Sequence, residues 1–191
     1  MCSSDLKKLR AKYMKEEGRK TLPFARPVYV EGTDDDVSEC LRNGWLTTGS
    51  TTARFEDEFV KFLGSPSDVR FGGALAVSSA TIGARIIYEA LGLWGGEIVF
   101  PALTFISPIA EAIHAGMTPV FADVDRGSFN MTVETLDRVV TKRTRAVVVT
   151  HYAGLPCEMD EILMYCSMKG IRVIEDAAHA LPASYRSMPI G

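Results

Sequence analysis

Cysteine is scarce in this 191-residue chain, histidine is scarcer, and no apolar run approaches the length a bilayer demands. The four cysteines, Cys2, Cys40, Cys157 and Cys166, form no CxxC pair. That argues against a disulfide scaffold and fits a reducing compartment, with buried or incidental thiols. A spanning helix needs about 20 predominantly apolar residues, so no membrane partner is expected. The basic N-terminus is followed by no apolar stretch of the kind a secretory signal carries. A soluble, cytoplasmic protein is the expectation. GxSxG, Walker A, HExxH and GxGxxG are also missing, which weakens the simplest hydrolase, nucleotide-triphosphatase and nicotinamide readings.

What is present is an acidic body with a basic lead. The chain carries 24 acidic and 21 basic side chains, a formal charge of −3. Residues 1–20 hold seven Lys or Arg against three acids, a local +4 that leaves −7 for the remainder. Gripping a phosphate backbone needs a basic face, so nucleic acid is not an expected partner. With 47% hydrophobic residues, the length suits one core of ordinary size.

Residues 1–22 read as a basic helix or a disordered segment, and Pro23 and Pro27 mark an extended entry to the remainder, 23–191. Thr33 followed by Asp34, Asp35 and Asp36 predicts a helix start. That helix should carry Val37, Cys40 and Leu41 inward and stop at Asn43-Gly44. A second helix should place Phe55, Phe59, Phe62 and Leu63 on one face. From residue 73 the pattern alternates. Short, mostly β-branched runs predict strands at Ala74–Ser78, Glu97–Phe100, Thr118–Ala122, Ala146–Thr150 and Ile171–Glu175. Helices are predicted at Thr81–Leu91, Ile106–His114, Val133–Val140 and Glu158–Lys169, the third capped by Thr132 and the last closed by Gly170. This alternation defines an α/β fold with a mostly parallel sheet. The last residues, Ser187 to Gly191, show no closing helix or strand.

In open α/β sheets ligands bind beyond the carboxyl ends of the strands, so the strand-to-helix loops hold the candidates. Val77-Ser78-Ser79-Ala80-Thr81 offers small side chains, backbone N–H groups and a helix N-terminus, a cradle for phosphate or a plain helix cap. The strand ending at Glu175-Asp176 delivers acids and then His179. Asp176 could hold a protonated ring nitrogen of a cofactor and His179 could donate to a neighbouring oxygen, or the pair is an acidic cap with a packed histidine. Phe105 could stack on a flat ligand or fill the core. His151 reads as structural and His114 as packed in an apolar helix; Asp123 and Asp125 read as turn-organising. A metal site built from Asp176, His179 and His151 lacks a further ligand, and no metal is expected.

Taken in order, these stretches resemble the DegT/StrS-type sugar aminotransferases, pyridoxal-phosphate (PLP) enzymes of fold type I. The matching segments are Asn43–Gly49 (NGWLTTG), Val77–Thr81, Ala90–Ile98 (ALGLWGGEI), Pro101–Phe105, Gly116–Asp125 (GMTPVFADVD), His151–Asp160 and Glu175–Gly191. The resemblance implies the large domain of that fold, with helices on both sheet faces and truncated here, the C-terminal part being absent. It implies that Ala80 and Thr81 bind the cofactor phosphate, that Phe105 stacks on the pyridine ring, that Asp176 pairs with the ring nitrogen, and that His179 approaches the phenolic oxygen. Trp45, Thr47 and Thr48 would lie in a loop near the substrate. The family usually has Gly where Ala80 and Pro182 stand. Its Schiff-base lysine would fall beyond Gly191, so no catalytic residue of that kind is expected and the chain alone should be inactive. The implied reaction moves an amino group, from a donor such as glutamate, onto a nucleotide-linked keto sugar in deoxyamino-sugar or cell-surface polysaccharide biosynthesis, by a homodimer. A PLP-dependent sugar dehydratase and a non-catalytic truncated paralogue are the alternatives.

Overall fold

The computed structural model describes residues 30–64 and 73–191. The basic lead and the Pro23–Pro27 entry lie outside them. The chain divides into two compact units, residues 1–47 and 48–191.

In the described part of the first unit, helix α1 spans Thr33–Asn43, with Asp34, Asp35 and Asp36 in its first turn and Gly44 closing it in the left-handed conformation. Its start and stop fall where the sequence places them. Its expected inward face does not form: Val37 and Leu41 are exposed and no residue of the helix is buried, because no other described element of this unit covers it.

The second unit opens with α2, Ser50–Leu63. Its aromatic face is real, with Phe55–Phe59 and Phe59–Phe62 ring centroids 5.9 and 6.3 Å apart. Next come α3 (Ala80–Ala90), β1 (Glu97–Pro101), α4 (Ile106–His114), β2 (Thr118–Ala122) and α5 (Val133–Asp137). The chain continues through β3 (Thr144–Thr150), a single 3-10 turn (Tyr152–Gly154), α6 (Met159–Lys169) and β4 (Arg172–Asp176). A two-residue hairpin, β5 (Ser184–Tyr185) and β6 (Met188–Pro189), follows.

The strands β1 to β4 form one parallel sheet in the order β2-β1-β3-β4. Alternation along the strands splits the core in two. Ile98, Phe100, Ala146 and Val148 pack with Tyr88 of α3 and with Ile109 and Ala112 of α4. Val99, Val147 and Val149 face the other way, onto Leu136 of α5 and Ile162 and Cys166 of α6. Both faces of the central strands β1 and β3 are therefore covered, which is why these two read as nearly unbroken apolar runs.

Four expectations are corrected. Ala74–Ser78 is extended but not a strand: among the described residues it has no sheet partner, and the Ala76 N–H donates to the Glu56 carboxylate at 2.8 Å. The helix predicted to reach Val140 ends at Asp137, because β-branched Val139 and Val140 leave it in a turn and pack into the core. The chain end, expected to lack structure, forms the hairpin, whose turn residues Arg186 and Ser187 sit at φ 49° and 67° without the Asn or Gly that would signal it. His114 is not packed; its side chain is 64% exposed beside Glu111, because Ile109 and Ala112 take the inward face of α4.

Entry into β1 depends on Gly96, at φ +81°, where an added Cβ would lie 2.9 Å from the Arg143 carbonyl oxygen. Gly95, at φ +67°, faces open space. Gly96→Ala should therefore cost about 2 kcal/mol or more and Gly95→Ala only about 1 kcal/mol in chemical denaturation. Equal losses would show that the close approach at Gly96 is unimportant.

Candidate functional site

From β1 the chain crosses to β2 on one side, and from β3 it crosses to β4 on the other. The loops leaving β1 and β3 part at their carboxyl ends, the crevice where open α/β sheets place ligands. A cavity of about 310 Å³ lies there, lined by Ala80, Thr81, Phe105, Asp176 and His179. All five residues singled out for cofactor contact thus converge on one space.

Each comes from a separate local cause. The Ser79 hydroxyl caps α3 by accepting the Ile82 N–H at 3.3 Å. The first N–H groups of a helix have no intrahelical partner, so those of Ala80 and Thr81 remain at the cavity beside the positive helix end. The Thr81 hydroxyl donates to Ser107 Oγ at 2.9 Å, joining this helix start to α4. Phe105 directly precedes α4 and is 68% exposed, so core filling is not its role.

Strand β4 delivers Glu175 and Asp176, and the two acids part company. Glu175 accepts from His151 Nε2 at 3.1 Å, while His151 Nδ1 accepts the Cys157 N–H at 3.1 Å. The proton therefore resides on Nε2, both ring nitrogens are engaged, and buried His151 is structural, as the sequence suggests. Asp176 lines the cavity instead. Its carboxylate accepts one N–H, from Ala178 at 3.2 Å, and its backbone carbonyl accepts the His151 N–H at 3.2 Å. The Tyr88 hydroxyl, donating to the Pro108 carbonyl at 3.1 Å, is pushed well above the ordinary phenol value by burial and then by the charges of Asp176 and Glu111.

The sequence reading missed four polar or aromatic lining residues: Thr104, Ser107, Thr150 and Tyr152. Thr104 and Thr150 share a hydrogen bond of 2.9 Å across the crevice. The available signal was positional, since each follows or ends a strand at its carboxyl edge. Trp45 and Thr47 belong to the first unit, and Thr48, at the start of the second, does not line the cavity. Asp125 organises a turn as expected, its Oδ1 accepting from the N–H groups of Ser128 and Gly127 and from the Ser128 hydroxyl. These bonds, led by the Ser128 N–H, hold its carboxyl below the usual range. Among the described residues no group of three or more His, Cys, Asp or Glu side chains could hold a metal ion, and no helix is long and apolar enough to cross a membrane.

The sheet order and the switch-point cavity are those of the large domain of fold type I aminotransferases. The pattern of the DegT/DnrJ/EryC1/StrS aminotransferase family matches residues 29–191, and the chain belongs to that family. It is 39% identical over 171 residues to the spore coat polysaccharide biosynthesis protein SpsC of Bacillus subtilis, covering 89% of this chain and 42% of that protein. An aminotransferase from Psychrobacter cryohalolentis superposes with a TM-score of 0.79 at 33% identity, over 88% of this chain and 42% of that one. Spr1654 of Streptococcus pneumoniae, solved in PLP and PMP forms, gives a TM-score of 0.77 at 26% identity, over 89% and 46% of the two chains. The chain thus spans less than half the length of each of these relatives.

Behind the site, burial pushes the Cys157 thiol up to about 12 and Cys166 up to about 11, from 9.0. Both values are raised, so the stabilisation from keeping the thiols neutral is complete below the unfolded value near 9 and is lost as pH rises toward 12. The native protein should therefore resist iodoacetamide at both cysteines at pH 8.5 and label at them once unfolded, as read by peptide mass spectrometry. Rapid native labelling of Cys157 would contradict its burial.

Proposed function

We propose that this chain is the cofactor-cradling part of a PLP-dependent aminotransferase that transfers an amino group, with glutamate as donor, to a nucleotide-linked keto sugar. One observation carries the reading: a helix N-terminus, an exposed aromatic ring, and a carboxylate with a histidine three residues on, from three separate stretches of chain, all line one switch-point cavity. The donor set suits pyridoxal phosphate. The Ala80 and Thr81 N–H groups, with the helix dipole, bind the phosphate; the alanine at 80 still offers its N–H. Phe105 stacks on the ring. Asp176, whose carboxylate accepts the Ala178 N–H, keeps the proton on the pyridine nitrogen, and His179 donates to the phenolic oxygen. When bound, pyridoxal phosphate supplies the electron sink for amino-group transfer. The PLP and PMP forms of Spr1654 and the polysaccharide role in the name of SpsC support the cofactor and the sugar.

No described lysine lines the cavity. Lys169, the last in the sequence, ends α6 and pairs with Asp137 at 3.4 Å. The reading needs a lysine nucleophile that none of the described lysines supplies. A homodimer belongs to the same reading, and the exposed side chains of Trp94, Ile106 and Ile113 are surface that a second copy would cover.

Titration of the chain with PLP should show saturable binding, and Asp176→Ala should weaken it about tenfold or more. Borohydride should trap no stoichiometric adduct at a single lysine. Absence of saturable binding, or a stoichiometric adduct on this chain, would overturn the reading.

A further inference from the structure

Asn130 has no part in the cavity, yet it is buried and gives both ends of its side chain to one loop. Its Oδ1 accepts the Tyr152 N–H at 3.2 Å and its Nδ2 donates to the Leu155 carbonyl at 2.9 Å. Asn130 is itself fixed: its N–H donates to Ser128 Oγ at 3.3 Å and its carbonyl accepts the Asp125 N–H at 2.9 Å. The loop it grips is the single turn Tyr152–Gly154, with Ala153 at φ 52°. A non-glycine residue in that region persists only where its surroundings over-determine it, and the two bonds from Asn130 bracket it. The turn presents the half-buried Tyr152 ring to the cavity, and Gly154 packs against the backbone of His179, whose carbonyl oxygen an added Cβ would meet at 3.5 Å.

We propose that Asn130 is a positioning residue, clamping the Tyr152–Gly154 turn so that Tyr152 forms a wall of the cavity and contacts the bound cofactor. This rests on the PLP reading above. An uncharged amide suits the task because it offers one acceptor and one donor in a fixed plane. Removing it frees the turn and withdraws Tyr152, without touching any group that binds the phosphate or the ring nitrogen.

A double-mutant cycle on PLP affinity tests it. Asn130→Ala and Tyr152→Ala should each weaken binding about tenfold, and the double variant should bind within about twofold of Tyr152→Ala. Losses that multiply would mean that Asn130 acts by some route other than Tyr152, and would overturn the proposal. Asn130→Ser serves in the same cycle should Asn130→Ala fail to fold. Hydrogen exchange on the ligand-free chain gives a second reading. The Gly154 and Leu155 amides, bonded within the turn to the His151 and Tyr152 carbonyls, should exchange at least about tenfold faster without Asn130, and unchanged exchange would overturn the clamp. If the unsubstituted chain binds no PLP, the cofactor reading and the Tyr152 contact fall together, while exchange still decides whether Asn130 holds the turn.

Discussion

The site depends on the divergence of two crossovers in one parallel sheet. With strand order β2-β1-β3-β4, the connections leaving β1 and β3 turn opposite ways, and a crevice opens at the carboxyl ends of two central, buried strands. The Thr104–Thr150 hydrogen bond spans that crevice. The strands beneath it are packed on both faces, so the loops above them start from fixed points. At the opposite edge of the sheet, buried Glu97 accepts from the Thr141 and Thr144 hydroxyls and pairs with Arg143. One end of the sheet is closed by a satisfied charge network, and the other keeps polar groups turned toward a cavity.

That contrast recurs between adjacent residues. Glu175 and Asp176 follow one another on β4, and successive side chains on a strand point to opposite faces. Glu175 is taken by neutral His151, which also accepts the Cys157 N–H. Asp176 accepts the Ala178 N–H and lines the cavity, where the proposed function gives it the ring nitrogen. The histidines differ in place: His151 is buried behind the crevice, whereas His179 lines the cavity. The chemistry therefore follows from which face and which strand end a residue occupies, as much as from its type.

Much of this was legible in the sequence because the physics there is local. Runs such as Glu97–Phe100 and Ala146–Thr150 announce buried strands, and the acids and histidine that end the Ile171–Glu175 run announce a polar strand end. The cap at Ser79 and the glycine after Lys169 fix helix boundaries within a residue. What was not legible is long-range or depends on a missing partner. Ala74–Ser78 has the composition of a strand, but a strand exists only where another pairs with it. The faces of α1 and α4 are set by what covers them, so Val37 and Leu41 are exposed although their spacing predicts an inward face, and His114 is exposed although its helix is apolar. Asn130, 22 residues from Tyr152 along the chain, carries no sequence signal of the loop it holds. Thr104 and Thr150 are ordinary threonines until the sheet order sets them across a crevice.

The central claim is that Asp176 holds the proton of a ring nitrogen at the switch point. The most direct measurement is the ¹⁵N chemical shift of PLP labelled at the pyridine nitrogen and bound to the chain at neutral pH. The account predicts a protonated nitrogen that becomes unprotonated in Asp176→Ala while PLP remains bound at saturating concentration. An unprotonated ring nitrogen in the unsubstituted chain, or a shift indifferent to Asp176, would contradict it.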